Sequence, residues 1–253
     1  MADILKGDLY RFGKSKLLYV FAALAALAAV SLMALIRQDM RLGVSVFGNL
    51  TAFRAPGDIV RTGVEYHKGL GIFAAILLSV FIGQEYQWKT WQHKLIAGKS
   101  RARAYLSKAA FSSAGSALIF LAYEAAALLS AGQMRGALAK DCAAALVCGL
   151  FVYAALGTVI CMLSMLIKNS AASTAACLCY VLLGEAAASA MRGAGSLSAA
   201  AGRLVELGVR HSVYGMSATV SSAAFTAEGA AGVAINALAI MLLSTALGLL
   251  AFR

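Results

Sequence analysis

Apolar residues run almost without interruption at about 17–36, 70–86, 106–131, 141–167, 171–191 and 231–252. Each run approaches the ~20 residues that carry an α-helix across the hydrocarbon of a bilayer. The pattern predicts an all-α, polytopic membrane protein with six transmembrane helices, forming a single transmembrane domain over residues 1–253. Six spans place both termini on one side.

Composition supports that reading. The chain is 61% hydrophobic and only 13% charged, whereas soluble domains are about half apolar and a quarter charged. Its mean hydropathy is +0.80. Pro56 is the only proline, which suits long helices because proline removes a backbone donor. The charged start, followed by an apolar run too long for a signal h-region, predicts a first span that stays in the membrane.

Lysine and arginine orient the chain. With the N-terminus cytoplasmic, the short inner segments hold Lys6, Arg11, Lys14, Lys16, Lys89, Lys94, Lys99, Arg101, Arg103, Lys108, Lys168 and Arg253, twelve of the 22 basic residues. The others spread over two long outer loops and one short one. The expected location is a cell membrane, with both termini cytoplasmic. The net charge of +11 then reads as orientation and lipid contact. No soluble basic domain with interleaved aromatics is present to bind nucleic acid.

Two connecting regions carry patterns of their own. In residues 3–16, Leu5, Leu9 and Phe12 recur at i, i+4, i+7, with Lys6, Arg11 and Lys14 off that line. This fits an interfacial helix ahead of the first span; the alternative is a frayed basic tail. In the outer loop 192–230, Leu197, Leu204 and Leu207 mark one side of a short helix. The small, weakly polar run from Ser217 to Gly232 either dips back into the outer leaflet or lies exposed.

The segment between the second and third spans, "QEYQWKTWQHKLIAGKSRAR" (84–103), is the most distinctive. It ends in Gly98-Lys99-Ser100, the tail of a phosphate-binding loop. A P-loop also needs a glycine five residues before Gly98, where His93 stands, and must follow a strand in an α/β domain. The match is accidental. As a helix, Trp88, Trp91 and Leu95 share a face at i, i+3, i+7, with Lys89 and His93 on another. Tryptophan favours the membrane–water interface and the cations favour the anionic leaflet. Gly98 can end this helix in a left-handed cap, and Ser100 can cap the next.

Residues 81–108 resemble the cytoplasmic loop of ABC-2 type transporter permeases, a pattern close to E-[FY]-x-x-[GK]-T-x-x-x-L-x-x-G-x-S-R followed by an aromatic and a lysine. Glu85, Tyr86, Thr90, Leu95, Gly98, Ser100, Arg101, Tyr105 and Lys108 match it. Lys89 stands where glycine is commoner. The opening "ILKGDLYRFGKSKLLYV" and the closing "LGLLAFR" are also similar to that family, most of all to its small exporters of antimicrobial or amphipathic peptides. The resemblance implies a permease subunit that holds no cofactor and is not itself an enzyme. It implies a second permease copy or a sister permease, and two ABC ATPase subunits on separate chains that bind ATP and Mg. It further implies that Glu85, Tyr86, Lys89, Thr90, Lys94, Leu95, Gly98, Ser100 and Arg101 form a coupling helix seated on the ATPase.

Two carboxylates lie inside apolar runs, Glu124 in "FLAYEAAALL" and Glu185 in "VLLGEAAASA". On straight spans each sits roughly 10 Å below the outer end. Intramembrane carboxylates are costly and face a cavity or a partner. They either line a path for a cationic or amphipathic substrate, or are protonated or bonded to a helix neighbour and hold the bundle together. Ser112, Ser113, Ser116 and Ser130 predict hydrogen bonds between helices. Cys142, Cys148, Cys161, Cys177 and Cys179 all fall in apolar runs and read as packing residues, and no Cys/His spacing suggests a metal site. No nucleophile–base or His-Glu-x-x-His arrangement points to an intramembrane enzyme. The remaining rival is a proton-coupled secondary transporter using Glu124 and Glu185, although no internal repeat is visible.

Overall fold

The computed structural model describes residues 2–37, 56–88, 90, 96, 100–132, 134–136, 139–195, 199–222 and 224–251. These residues form helices and connecting turns, without a strand. In chain order the helices are α1 (Ala2–Gly13), α2 (Lys16–Arg37), α3 (Pro56–Val64), α4 (Leu70–Gln87), α5 (Arg101–Ala131), α6 (Lys140–Ile167), α7 (Ser170–Leu182), α8 (Gly184–Gly195), α9 (Ala199–Arg210), α10 (Val213–Ser221) and α11 (Ala230–Ala251). Short 3₁₀ turns at Tyr66–Lys68 and Ala227–Gly229 lead into α4 and α11.

Five of these helices are long and apolar enough to cross a membrane: α2, α4, α5, α6 and α11. The fifth expected span, 171–191, is broken. It divides into α7 and α8, bent by 57° about Leu183. The elbow falls at Gly184, and a Cβ placed there would lie 3.5 Å from the Tyr66 hydroxyl. Aromatic side chains therefore pack into the bend, as kinks at glycine allow.

α6 is the hub, packing against α5, α11, α4, α3, α7 and α10. Small residues let it approach its neighbours closely. Gly157 faces the Ser112 backbone of α5. Nearby, the Ser116 hydroxyl donates to the Tyr153 carbonyl at 2.6 Å. The Ser244 hydroxyl of α11 donates to Thr158 at 2.9 Å, and Ser79 of α4 meets Thr174 of α7 at 2.9 Å. Ser113 bonds to Ala109 in its own helix at 3.0 Å, the back-bonding common to helix serines.

Helix ends follow local chemistry. Ser100 caps α5 by accepting the Arg103 N–H, and Gly132 ends the same helix at φ 71°. Between α6 and α7, Lys168 adopts a left-handed φ of 56°. Asn169 then accepts the N–H groups of Ala171 and Ala172, starting α7. Four of the five cysteines are buried, as packing residues would be, and Cys179 is exposed.

The segments read from sequence as outer loops contribute to the core. Ile59, Val60 and Val64 of α3 are fully buried, as are Val213, Met216 and Val220 of α10. The last carbonyls of α3, orphaned at a helix end, accept hydrogen bonds from neighbouring elements. Tyr153 of α6 donates to Gly63 at 2.9 Å, and Ser217 of α10 donates to Val64 at 3.0 Å. The first part of the run beginning at Ser217 packs against protein. The short helix expected near 197–209 is α9, but Leu204 and Leu207 point away from the protein and Val209 is the buried residue.

Candidate functional site

The 84–103 stretch joins the end of α4 to the start of α5. Both roots meet in one buried ionic cluster. Glu85 lies in the last turn of α4 and Lys108 in the second turn of α5; both are shut off from solvent. The Lys108 ammonium is 2.6 Å from Glu85 and 3.2 Å from Asp8 of α1. Arg11 of α1 pairs with the same Glu85 oxygen, and the Ser107 hydroxyl donates to Asp8 at 2.9 Å. Two acids and two bases thus balance.

The floor of the cluster is aromatic. The Arg11 guanidinium and the Lys108 ammonium lie 4.9 and 5.0 Å from the Phe81 ring centroid. Phe12 packs edge-on against Phe81 at 5.3 Å and against Phe111 at 5.9 Å. Cations this close to a desolvated ring gain further attraction. A buried charge left alone would be far more costly than any of these contacts. The four side chains therefore hold α1, α4 and α5 together as a unit.

The other matched positions surround this cluster. The Tyr86 hydroxyl donates to the Met165 carbonyl near the end of α6, at 3.3 Å. The Thr90 hydroxyl donates to the Glu85 carbonyl at 3.1 Å, satisfying an end of α4. Tyr105 donates to Ser244 of α11 at 3.4 Å, and its ring packs against Gly248. Ser100 caps α5, and Arg101 is exposed in its first turn. Lys89, Lys94, Leu95 and Gly98 lie outside the described residues, so the expected surface helix is not described there. Trp88 is exposed.

Sequence reading missed Asp8 and placed Arg11 off the packing face of α1. The structure turns both inward beside Phe12. Spacing carried the signal: Asp8, Arg11 and Phe12 stand at i, i+3, i+4, on one helix face.

Glu124 and Glu185 occupy different surroundings. Glu124 is buried beneath α3, against Gly63. Neither of its carboxylate oxygens has a hydrogen-bond partner among the described residues. Glu185 lies in the first turn of α8, with 64% of its side chain exposed, 3.7 Å from His67. The matched depth expected for the pair assumed a straight fifth span, and the elbow at Leu183 removes that basis. Both nevertheless touch one short stretch, Glu124 through Gly63 and Glu185 through His67. Among the described residues no three His, Cys, Asp or Glu side chains group as a metal site requires.

Compared with protein-family models, curated proteins and solved structures, the chain matches none.

Proposed function

We propose that the chain is the membrane-spanning permease subunit of an ABC exporter, moving an amphipathic or antimicrobial peptide with ATP hydrolysed on a partner subunit. The observation that carries this reading is the ionic cluster of Asp8, Arg11, Glu85 and Lys108. It fastens both roots of the 84–103 stretch to each other and to α1. A push on that stretch would thus reach three helices together, as a subunit driven from outside its own chain requires. The tryptophans, the cations and the family-like motif of the stretch point to the same use. In this reading the chain pairs with a second permease copy or a sister permease, and two ATPase subunits engage the 84–103 stretch from the cytoplasm.

The test is affinity purification of the chain from native membranes, followed by photolabelling with azido-ATP and measurement of ATP turnover. Label on a separate co-purifying chain, with turnover that depends on this chain's presence, supports the reading. Transport in ATP-depleted proteoliposomes, driven by a proton gradient alone, would sink it.

The second reading, a proton-coupled transporter, is favoured by one observation: the buried Glu124 carboxyl without a partner among the described residues. Proton-driven transport lost in Glu124→Gln would select it.

A further inference from the structure

The elbow between α7 and α8 does more than interrupt a span. It opens a cavity of about 270 Å³, lined by Tyr66, Cys179, Tyr180, Leu183, Ala187 and Tyr214 among others. The lining is predominantly apolar. Leu183 and Met191 at its edge are themselves exposed, so the cavity opens sideways at the protein surface rather than closing as a core void.

A charged cluster adjoins the cavity through Tyr66 and Tyr214. The His67 ring lies edge-on to Tyr66 and Tyr214, at 5.8 and 5.2 Å between centroids. Its Nε2 is 3.7 Å from the Glu185 carboxylate. The His67 side chain is 94% buried, being 6% exposed, and its Nδ1 has no hydrogen-bond partner among the described residues. Glu65, Lys68 and Arg192 also act on Tyr214. Both of these cations already hold another acid: Lys68 pairs with Glu65 at 2.8 Å and Arg192 with Glu206 at 3.2 Å. Burial, reinforced by Lys68, holds the His67 imidazole below its ordinary pKa against the opposing pull of Glu65 and Glu185. At neutral pH Glu185 therefore faces an uncharged ring. Glu185 thus faces His67 rather than a lysine or arginine, beside an aromatic-walled apolar space.

We propose that this cavity is a binding site for an amphipathic organic cation, its apolar body held between α7, α8 and α10 and its ammonium group beside Glu185 and Tyr214. Pockets of this kind are mostly apolar, with a few polar groups that fix orientation. A tyrosine ring adds attraction for an ammonium group. Glu185 disfavours a phosphate or carboxylate headgroup, and a neutral chain would leave it unused. The site stands independently of the permease reading, because filling it needs no ATPase.

Cys179 supplies a native reporter, since it lines the cavity and is exposed while the other four cysteines are buried. The chain is reconstituted in vesicles without net charge, and the rate of N-ethylmaleimide addition to Cys179 is followed by mass spectrometry. The probes are decyltrimethylammonium, decyl sulfate and decanol. Decyltrimethylammonium is expected to slow the reaction at concentrations where the other two do not. Glu185→Gln should raise its half-protecting concentration about fivefold, the size of a partly exposed ion pair, while Glu185→Asp keeps most of the protection. Ala187→Phe, at an exposed position on the cavity wall, should abolish protection. Equal protection by all three probes, or protection unchanged in Glu185→Gln, would overturn the cation assignment. No protection by any probe would overturn the site.

Discussion

The Lys108 ammonium lies 2.6 Å from the Glu85 carboxylate, both groups buried, at the point where the 84–103 stretch joins the bundle from either end. Removing one partner of a buried pair leaves an uncompensated charge, at a cost of about 3–5 kcal/mol. Lys108→Met or Glu85→Gln alone should therefore lower the melting temperature and folded yield sharply. The double variant Glu85→Leu, Lys108→Met leaves Asp8 and Arg11 to balance each other and should recover most of the loss. Thermal unfolding in detergent measures this. Single variants as stable as the parent would show that the cluster holds nothing together.

Gly63 and Glu124 form a second close relationship. A Cβ on Gly63 would fall inside van der Waals contact with the Glu124 carboxyl group, with the Tyr123 ring 3.1 Å away. Gly63→Ala should destabilise the protein by about 1–3 kcal/mol, the range for overpacking. In a Glu124→Ala background the same change should be nearly neutral, because the space is then free. Additive effects in the double-mutant cycle would refute the contact. Unchanged transport in the Glu124→Gln, Glu185→Gln double variant would separately dismiss both carboxylates from any substrate path.

His67 gives a pH dependence with a defined sign. Burial is the largest cause of its lowered pKa, Lys68 adds to it, and Glu65 and Glu185 oppose it. The unfolded chain, with a histidine near the ordinary value of about 6.5, then binds the proton more readily than the folded one. Stability is full above that value and falls as pH drops through it toward the folded pKa. The native protein should lose more stability between pH 7.5 and 5 (roughly spanning that value) than His67→Gln does. Parallel pH–stability curves for the two proteins would contradict this.

Topology offers a check on orientation that uses no structural detail. In a cysteine-free background, single cysteines replacing Ser45 or Ser198 should react with an impermeant thiol reagent added outside intact cells. One replacing Ala97 should stay unlabelled, since the cationic segments around it are retained on the cytoplasmic side. Labelling at Ala97 from outside would reverse the orientation.

The long spans were legible because an apolar run of spanning length has few other uses. The Ser100 cap was legible because capping is local. What sequence periodicity hid was set by tertiary contact. "VLLGEAAASA" reads as one apolar run, yet the helix bends by 57° there, with Tyr66 and Tyr214 packed against the bend. Ile59, Val60 and Val64 are too few and too close together to signal a buried helix, although partners from α6 and α10 complete its end. Arg11 looked like a surface cation because its acid partner lies 74 residues away. The motif residues were found by resemblance, but their fastening roles emerged only when α1 and α11 were placed beside them.

Ser100 decides between the two uses of Gly98-Lys99-Ser100. Its hydroxyl accepts the Arg103 N–H at 3.4 Å and starts α5, whereas a P-loop serine would hold Mg beside a phosphate. Ser100→Asp keeps an acceptor at the cap, places negative charge at a helix N-terminus, and should leave folding and any transport intact. Ser100→Ala should lower stability by about 1 kcal/mol, the usual loss of such a cap. Lys99→Ala should be mild, because nothing in this reading asks Lys99 to hold a phosphate. The deciding measurement is nucleotide binding and turnover by the purified chain alone, compared across these variants. Hydrolysis without a partner, abolished by Lys99→Ala and by Ser100→Asp, would show a nucleotide site in the stretch and overturn its assignment as a segment moved by a separate ATPase.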